Sequence, residues 1–155
     1  MAEPLPLDGA FVGSAFHLPV RVYFEDTDLS GIVYHANYLR FMERARSSML
    51  RAAGIDQRAT HEAGEGAYAV RDVSLRYRAP AKLDDLLTIV TRLVAIRAAS
   101  VVIHQTVMRE ALSLCDARVE AAFVAPNGRP RRQPAAWVAV FSPLLTNPER
   151  EPEWN

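Results

Sequence analysis

The sequence predicts an α+β domain: one strand, one long helix, then about four antiparallel strands. Three observations predict it. Residues 17–25 alternate apolar and polar, the two-residue period of a half-buried strand. From Tyr38 onward, apolar side chains return at three- and four-residue intervals, which marks a one-sided helix. Residues 72–125 hold further apolar stretches, and the breaks at 97–99 and 110–111 are short enough to favour hairpins.

Residues 1–15 mix proline, glycine and small side chains and are expected to form a loose arm that packs Phe11 and Val12 on the domain. In the first strand, Leu18, Val20, Val22 and Phe24 share one face and His17, Arg21, Tyr23 and Glu25 the other. Turn formers from Asp26 to Ser30 end it, and Gly31 supplies backbone freedom there. Tyr38, Phe41, Met42, Ala45, Met49 and Ala52 then form an apolar stripe, with Arg40, Arg44, Ser47 and Arg51 on another face. Gly54 stands where a C-terminal cap belongs. The helix is expected to run roughly 18 residues, about 27 Å, and needs a broad apolar surface to lie on.

Strands supply that surface. Val73, Leu75, Tyr77 and Ala79 alternate with Asp72, Ser74, Arg76 and Arg78 before Pro80, and residues 86–96 are apolar on both faces, as in a central strand. Residues 100–109 and 112–125 continue the sheet. Asn127 and Gly128 make a tight turn, and Pro134 opens a last short helix through Trp137 to Phe141. The domain is therefore expected to span residues 16–145, between the arm and a Glu- and Pro-rich tail over residues 146–155 that is expected to be disordered.

A chain of 155 residues with 18 basic and 18 acidic side chains has no overall field to attract nucleic acid or an anionic membrane. Its basic residues are arginines apart from Lys82, a skew read as genomic base composition. One cysteine, Cys115, excludes an internal disulfide or a thiolate zinc cluster within the chain and suits a reducing compartment. The first residues lack a signal-peptide pattern and no stretch is long enough to span a bilayer, so a soluble cytoplasmic protein is expected.

Residues 25–43, E-D-T-D-L-S-G-I-V-Y-H-A-N-Y-L-R-F-M-E, concentrate the chemistry where strand pattern gives way to helix pattern. Three readings compete. Asp26, Thr27, Asp28 and Ser30 form hydrogen-bonded turns and cap the helix, as such residues often do. Alternatively Asp26, Asp28, Ser30 and Gly31 occupy calcium-loop positions, against which stand Asn37 at the twelfth position and a strand where an incoming helix is required. His35 has no second ligand at metal spacing, and no metal or cofactor is expected. The third reading is a hydrolytic site: Asp28 as nucleophile or base, ahead of a helix whose first N–H groups are unpaired and carry partial positive charge.

The run D-T-D-L-S-G-I-V-Y-H-A-N-Y-L-R-F-M-E-R-A-R resembles the signature of the hotdog-fold acyl-CoA thioesterases of the 4-hydroxybenzoyl-CoA thioesterase superfamily, and within it the YbgC-like group linked to the Tol-Pal system. Y-R-A-P-A-K-L-D-D-L-L at residues 77–87 is similar to the family's second strand and following turn. The resemblance implies a hotdog fold, an antiparallel sheet of about five strands wrapped around the long helix. It also implies edge-to-edge dimers, or tetramers built on them, with active sites at the dimer interface. Asp28 falls at the catalytic carboxylate and the backbone N–H of His35 at the group that polarises the thioester carbonyl. Gly31, Tyr34, Asn37 and, for the CoA phosphates, Arg97 are expected to contact substrate. Asp26 is expected to serve the turn and Glu43 to pair with Arg46 or another arginine. The implied substrate is an acyl-CoA or an acyl carrier protein thioester. An aryl-CoA thioesterase and a non-catalytic acyl-thioester-binding scaffold stay open as alternatives.

Overall fold

A computed structural model describes residues 3–146. Its strands β1 (Ala10–Val12), β2 (Ala15–Arg21), β3 (Ala67–Tyr77), β4 (Leu86–Ile96), β5 (Ser100–Arg109) and β6 (Leu112–Val124) form one antiparallel sheet in the order β1-β2-β4-β5-β6-β3. Helix α1 (Asn37–Ala52) crosses one face, and α2 (Gln57–Glu62) and α3 (Ala135–Phe141) are short additions. The order strand, helix, antiparallel strands follows the sequence reading. The counts differ: the sheet has six strands rather than about five, and α1 has 16 residues.

The extra strand comes from the stretch expected to be a loose arm. Ala10–Val12 folds back on β2 through a hairpin, and the Phe11 ring meets Phe16 edge-on at 5.2 Å. The first strand also stops earlier than its alternation suggests. Beyond Val22 the Asp26 carboxylate accepts the Tyr23 N–H at 2.8 Å, a 3-10 turn follows over Phe24–Asp26, and Phe24 is left 83% exposed instead of sharing the buried face. The tail expected to be disordered lies, from residue 147 on, outside the described residues.

Helix α1 buries Tyr38, Phe41, Met42, Ala45 and Met49 as expected, with Leu50 in place of Ala52. Its end explains the exchange. Gly54 at φ +86° donates to the Arg51 carbonyl, and Ile55 donates to Leu50, a left-handed closure that turns the chain inward at Ile55. The register brings Ile89, Leu93, Ile103, Val107, Cys115, Val119 and Phe123 under the helix. One polar rung interrupts this floor. Wholly buried Gln105 donates to Thr91 Oγ1 at 3.0 Å and to the Met42 carbonyl at 2.9 Å, and accepts from Arg46 at 2.9 Å.

Strand β3 begins earlier than the clean alternation at residue 72, and a bulge between Val70 and Asp72 conceals its period. The bulge lets Tyr68 and Val70 on one side of it, and Val73, Leu75 and Tyr77 on the other, all pair with residues of the helix-facing row of β6. The opposite edge of β3 is open, with Val70, Val73 and Tyr77 exposed.

Candidate active site

Residues 26–37 form a loop held at both ends. The Asp26 carbonyl accepts the Tyr34 N–H at 2.9 Å and the Asn37 side-chain amide at 2.8 Å, while Thr27 and Val33 face each other in a bridge. Inside this clasp Asp28 donates its N–H to Ile32 and accepts that of Gly31 at 3.0 Å, a turn that sets Gly31 at φ +84°. A side chain at position 31 would be strained by that backbone. The motif at residues 77–87 supports the loop from beneath: Val33 donates to the Ala81 carbonyl at 2.8 Å, Ala81 to the Tyr38 hydroxyl at 3.1 Å, and Ile32 bridges Lys82.

Asp28 is exposed at the crest of the loop. One of its oxygens, Oδ1, accepts the Ser30 N–H at 2.8 Å and the Ser30 hydroxyl. The Ser30 hydroxyl and then its N–H hold the carboxyl below the ordinary aspartate range, and the nearby His35 charge adds to this. Among the described residues Oδ2 accepts nothing, so it is open to a water or a carbonyl carbon. Asp26 is different: buried, with its carboxylate turned to the Tyr23 N–H, it serves the turn as expected. The two carboxylates thus face different partners, which counters the calcium-loop reading.

The helix start lies at the other end of the loop. Ala36 offers no side-chain cap, and among the described residues no acceptor receives the N–H of His35 or Ala36. The Tyr77 hydroxyl donates to the His35 carbonyl at 2.7 Å and pins that peptide. Tyr34 is exposed, its ring tilted against the His35 ring at 4.5 Å. Asn37 is buried, its amide donating to Asp26, which makes it a clasp of the loop.

The structure thus gathers Asp28, Gly31, Tyr34, His35 and Asn37 on one loop and leaves Arg97 out. Arg97 follows the far end of β4, about 36 Å in strand rise from Leu86, where its guanidinium pairs with Glu120 at 2.8 Å. Lys82, bridged to Ile32, is the cation brought beside the loop. Glu43, expected to pair with Arg46 or another arginine, accepts from Ser47 at 2.7 Å and acts on Arg46 through its charge, while among the described residues no hydrogen bond joins the two because Arg46 reaches into the sheet to Gln105. Ser30 was read in the sequence as a turn former, which its hydrogen bonds to Asp28 bear out, but not as a group that tunes the carboxylate, and Tyr77 and the Ala36 N–H were given no place in the site. Only Ser30 had a local signal, an acceptor carboxylate two residues before it; Tyr77 depends on a contact across 42 residues.

Residues 30–115 match the family profile described as Thioesterase superfamily, 4HBT. The chain is 44% identical over 128 residues to the acyl-CoA thioester hydrolase YbgC of Escherichia coli O6:H1, covering 81% of this chain and 95% of that protein. It is 42% identical over 111 residues to the acyl-CoA thioesterase YbgC of Haemophilus influenzae, covering 72% and 82%. The crystal structure of a probable thioesterase from Bartonella henselae superposes with a TM-score of 0.72 at 38% identity, covering 76% of this chain and 98% of that one.

Proposed function

The chain belongs to the thioesterase superfamily, and from that membership we propose that it hydrolyses acyl-CoA thioesters to the free acid and CoA. The observation that carries the reading is the pairing, on one clasped loop, of an exposed ionised carboxylate with an unpaired N–H at a helix start. The thioester carbonyl oxygen accepts the His35 N–H, with Ala36 beside it. Precedent puts one such donor at about 3 to 4 kcal/mol of barrier. Asp28 takes a proton from a water whose oxygen bonds the carbonyl carbon. The C–S bond then breaks and the sulfur leaves as CoA thiolate, which takes the proton. Direct attack by Asp28 to give an anhydride, opened by water, uses the same groups. Tyr34 and Gly31 border the substrate path, and for the CoA phosphates Lys82 stands nearer the loop than Arg97 of the same chain, while the Ala67 end of β3, where Arg97 lies, is the end an edge-to-edge partner would bring to the loop.

The open edge of β3 supports a homodimer joined edge to edge, because a long unpaired edge with exposed Val70, Val73 and Tyr77 is a template for another strand. No described helix is long and apolar enough to cross a membrane, and we place the activity in the cytoplasm, on acyl-CoA or on acyl carrier protein thioesters. The test is free-thiol release from acyl-CoAs of different length and aromatic character. Turnover above the enzyme-free rate is expected for at least one class; saturable binding without turnover on all of them would make the protein a binding module.

A further inference from the structure

Between α1 and the β3 side of the sheet lies a cavity of about 140 Å³. Its walls are apolar, with Leu50, Val70, Ile103 and Phe141 among them, and Glu43 and Arg46 bring charge to it. An apolar protein cavity of about 150 Å³ accommodates benzene, so the space suits a single ring or a chain of about six carbons. Arg46 is the unusual member. Its guanidinium is partly buried and donates to Gln105 at 2.9 Å, but no carboxylate among the described residues stands within 4.0 Å of it. Burial lowers its pKa and the Glu43 charge only partly offsets this. An arginine has five donors and is suited to an oxygen ligand.

Within one chain the cavity is remote from the reacting atoms: Arg46 stands 11 residues after His35, about 16 Å of helix rise. The proposed dimer closes that gap. Antiparallel pairing of two β3 strands about their midpoint, Asp72, sets the Tyr77 end of one subunit beside the Ala67 end of the other. Tyr77 holds the His35 carbonyl, and Tyr68 lines the cavity. The catalytic loop of one subunit therefore faces the cavity of its partner.

We propose that this cavity receives the acyl group of a thioester held at the partner subunit's catalytic loop, and that Arg46 selects acyl groups of about six carbons with an oxygen acceptor at the far end. The inference rests on the thioesterase reading and on the β3 dimer. The shared chemistry is an apolar body ending in oxygen, either a carboxylate or a phenol.

The test compares kcat/KM for acetyl-CoA, hexanoyl-CoA, dodecanoyl-CoA, a carboxyl-terminated six-carbon acyl-CoA and a hydroxybenzoyl-CoA, in wild type, Arg46→Met and Val70→Trp. The wild type is expected to favour the oxygen-ended substrates over hexanoyl-CoA, and hexanoyl-CoA over dodecanoyl-CoA, by about 10-fold or more each. In Arg46→Met the oxygen-ended to hexanoyl ratio is expected to collapse toward one. Val70→Trp, which narrows the cavity from the β3 edge and is used only where light scattering still gives the wild-type mass, is expected to depress six-carbon substrates relative to acetyl-CoA. Preference for dodecanoyl-CoA, or an oxygen-ended ratio that Arg46→Met leaves unchanged, overturns this inference while the thioesterase reading stands. Turnover of no substrate overturns that reading and this inference with it.

Discussion

Asp28 and Ser30 show how two neighbouring side chains hold a carboxylate in its charged form. Both Ser30 donors act on the ionised form, so the folded pKa lies below the ordinary value and Asp28 stays charged at every pH above the acid range. The sign follows directly: removing the hydroxyl raises the pKa, and the acid limb of the kcat/KM profile moves to higher pH. We expect this shift in Ser30→Ala, with Ser30→Thr restoring the limb, read from thiol release between pH 3 and 7, a range bracketing the ordinary carboxylate values. The exposed turn that carries Asp28 was legible in the sequence because a D-x-D-x-x-G pattern abuts a helix pattern, whereas the role expected of Asp28 came from the resemblance. Its distinction from Asp26 was half legible: the turn role was foreseen, but the burial of Asp26 depends on Tyr34 and Asn37 closing over its backbone.

Helix α1 was legible at the scale of an element because a 3.6-residue stripe and a cap glycine are local signals. What the helix rests on was not, since Gln105 sits in an apolar strand and reveals its partners only once β5 lies beneath Met42 and Arg46. The same blindness affected Arg46, whose i−3 neighbour Glu43 was the local candidate while its acceptor is 59 residues away. Replacing Gln105 by Leu strips the acceptor from a partly buried guanidinium and the donor from the buried Met42 carbonyl, and we expect a loss of about 2 kcal/mol. Gln105→Glu, which keeps an acceptor for Arg46, should lose less at neutral pH. Denaturant midpoints at unchanged slope would measure both.

At the scale of the whole molecule, membership and architecture followed from one specific motif and the order of elements, while strand count did not, and the assembly is an expectation that the resemblance alone supplied. A hairpin with only three residues in β1 leaves almost no periodicity to detect, and the bulge in β3 scrambles the alternation of that edge strand. Light scattering is expected to give twice the 17.2 kDa chain mass for wild type, and a shift toward the single-chain mass for Val73→Lys, which sets like charges close together at a β3 two-fold. If Val73→Lys and wild type share one dimer mass, the β3 edge is not the interface.

The central claim is that the Asp28 carboxylate and a helix-start N–H together hydrolyse a thioester, and the rate of free-thiol release at neutral pH by wild type and Asp28→Asn tests it most directly. Asn keeps the shape and an acceptor oxygen for Ser30 but cannot act as base or nucleophile. We expect its kcat to fall by about 10³-fold or more while the KM for the same acyl-CoA changes little. An Asn variant that turns over within about 10-fold of wild type would contradict the account.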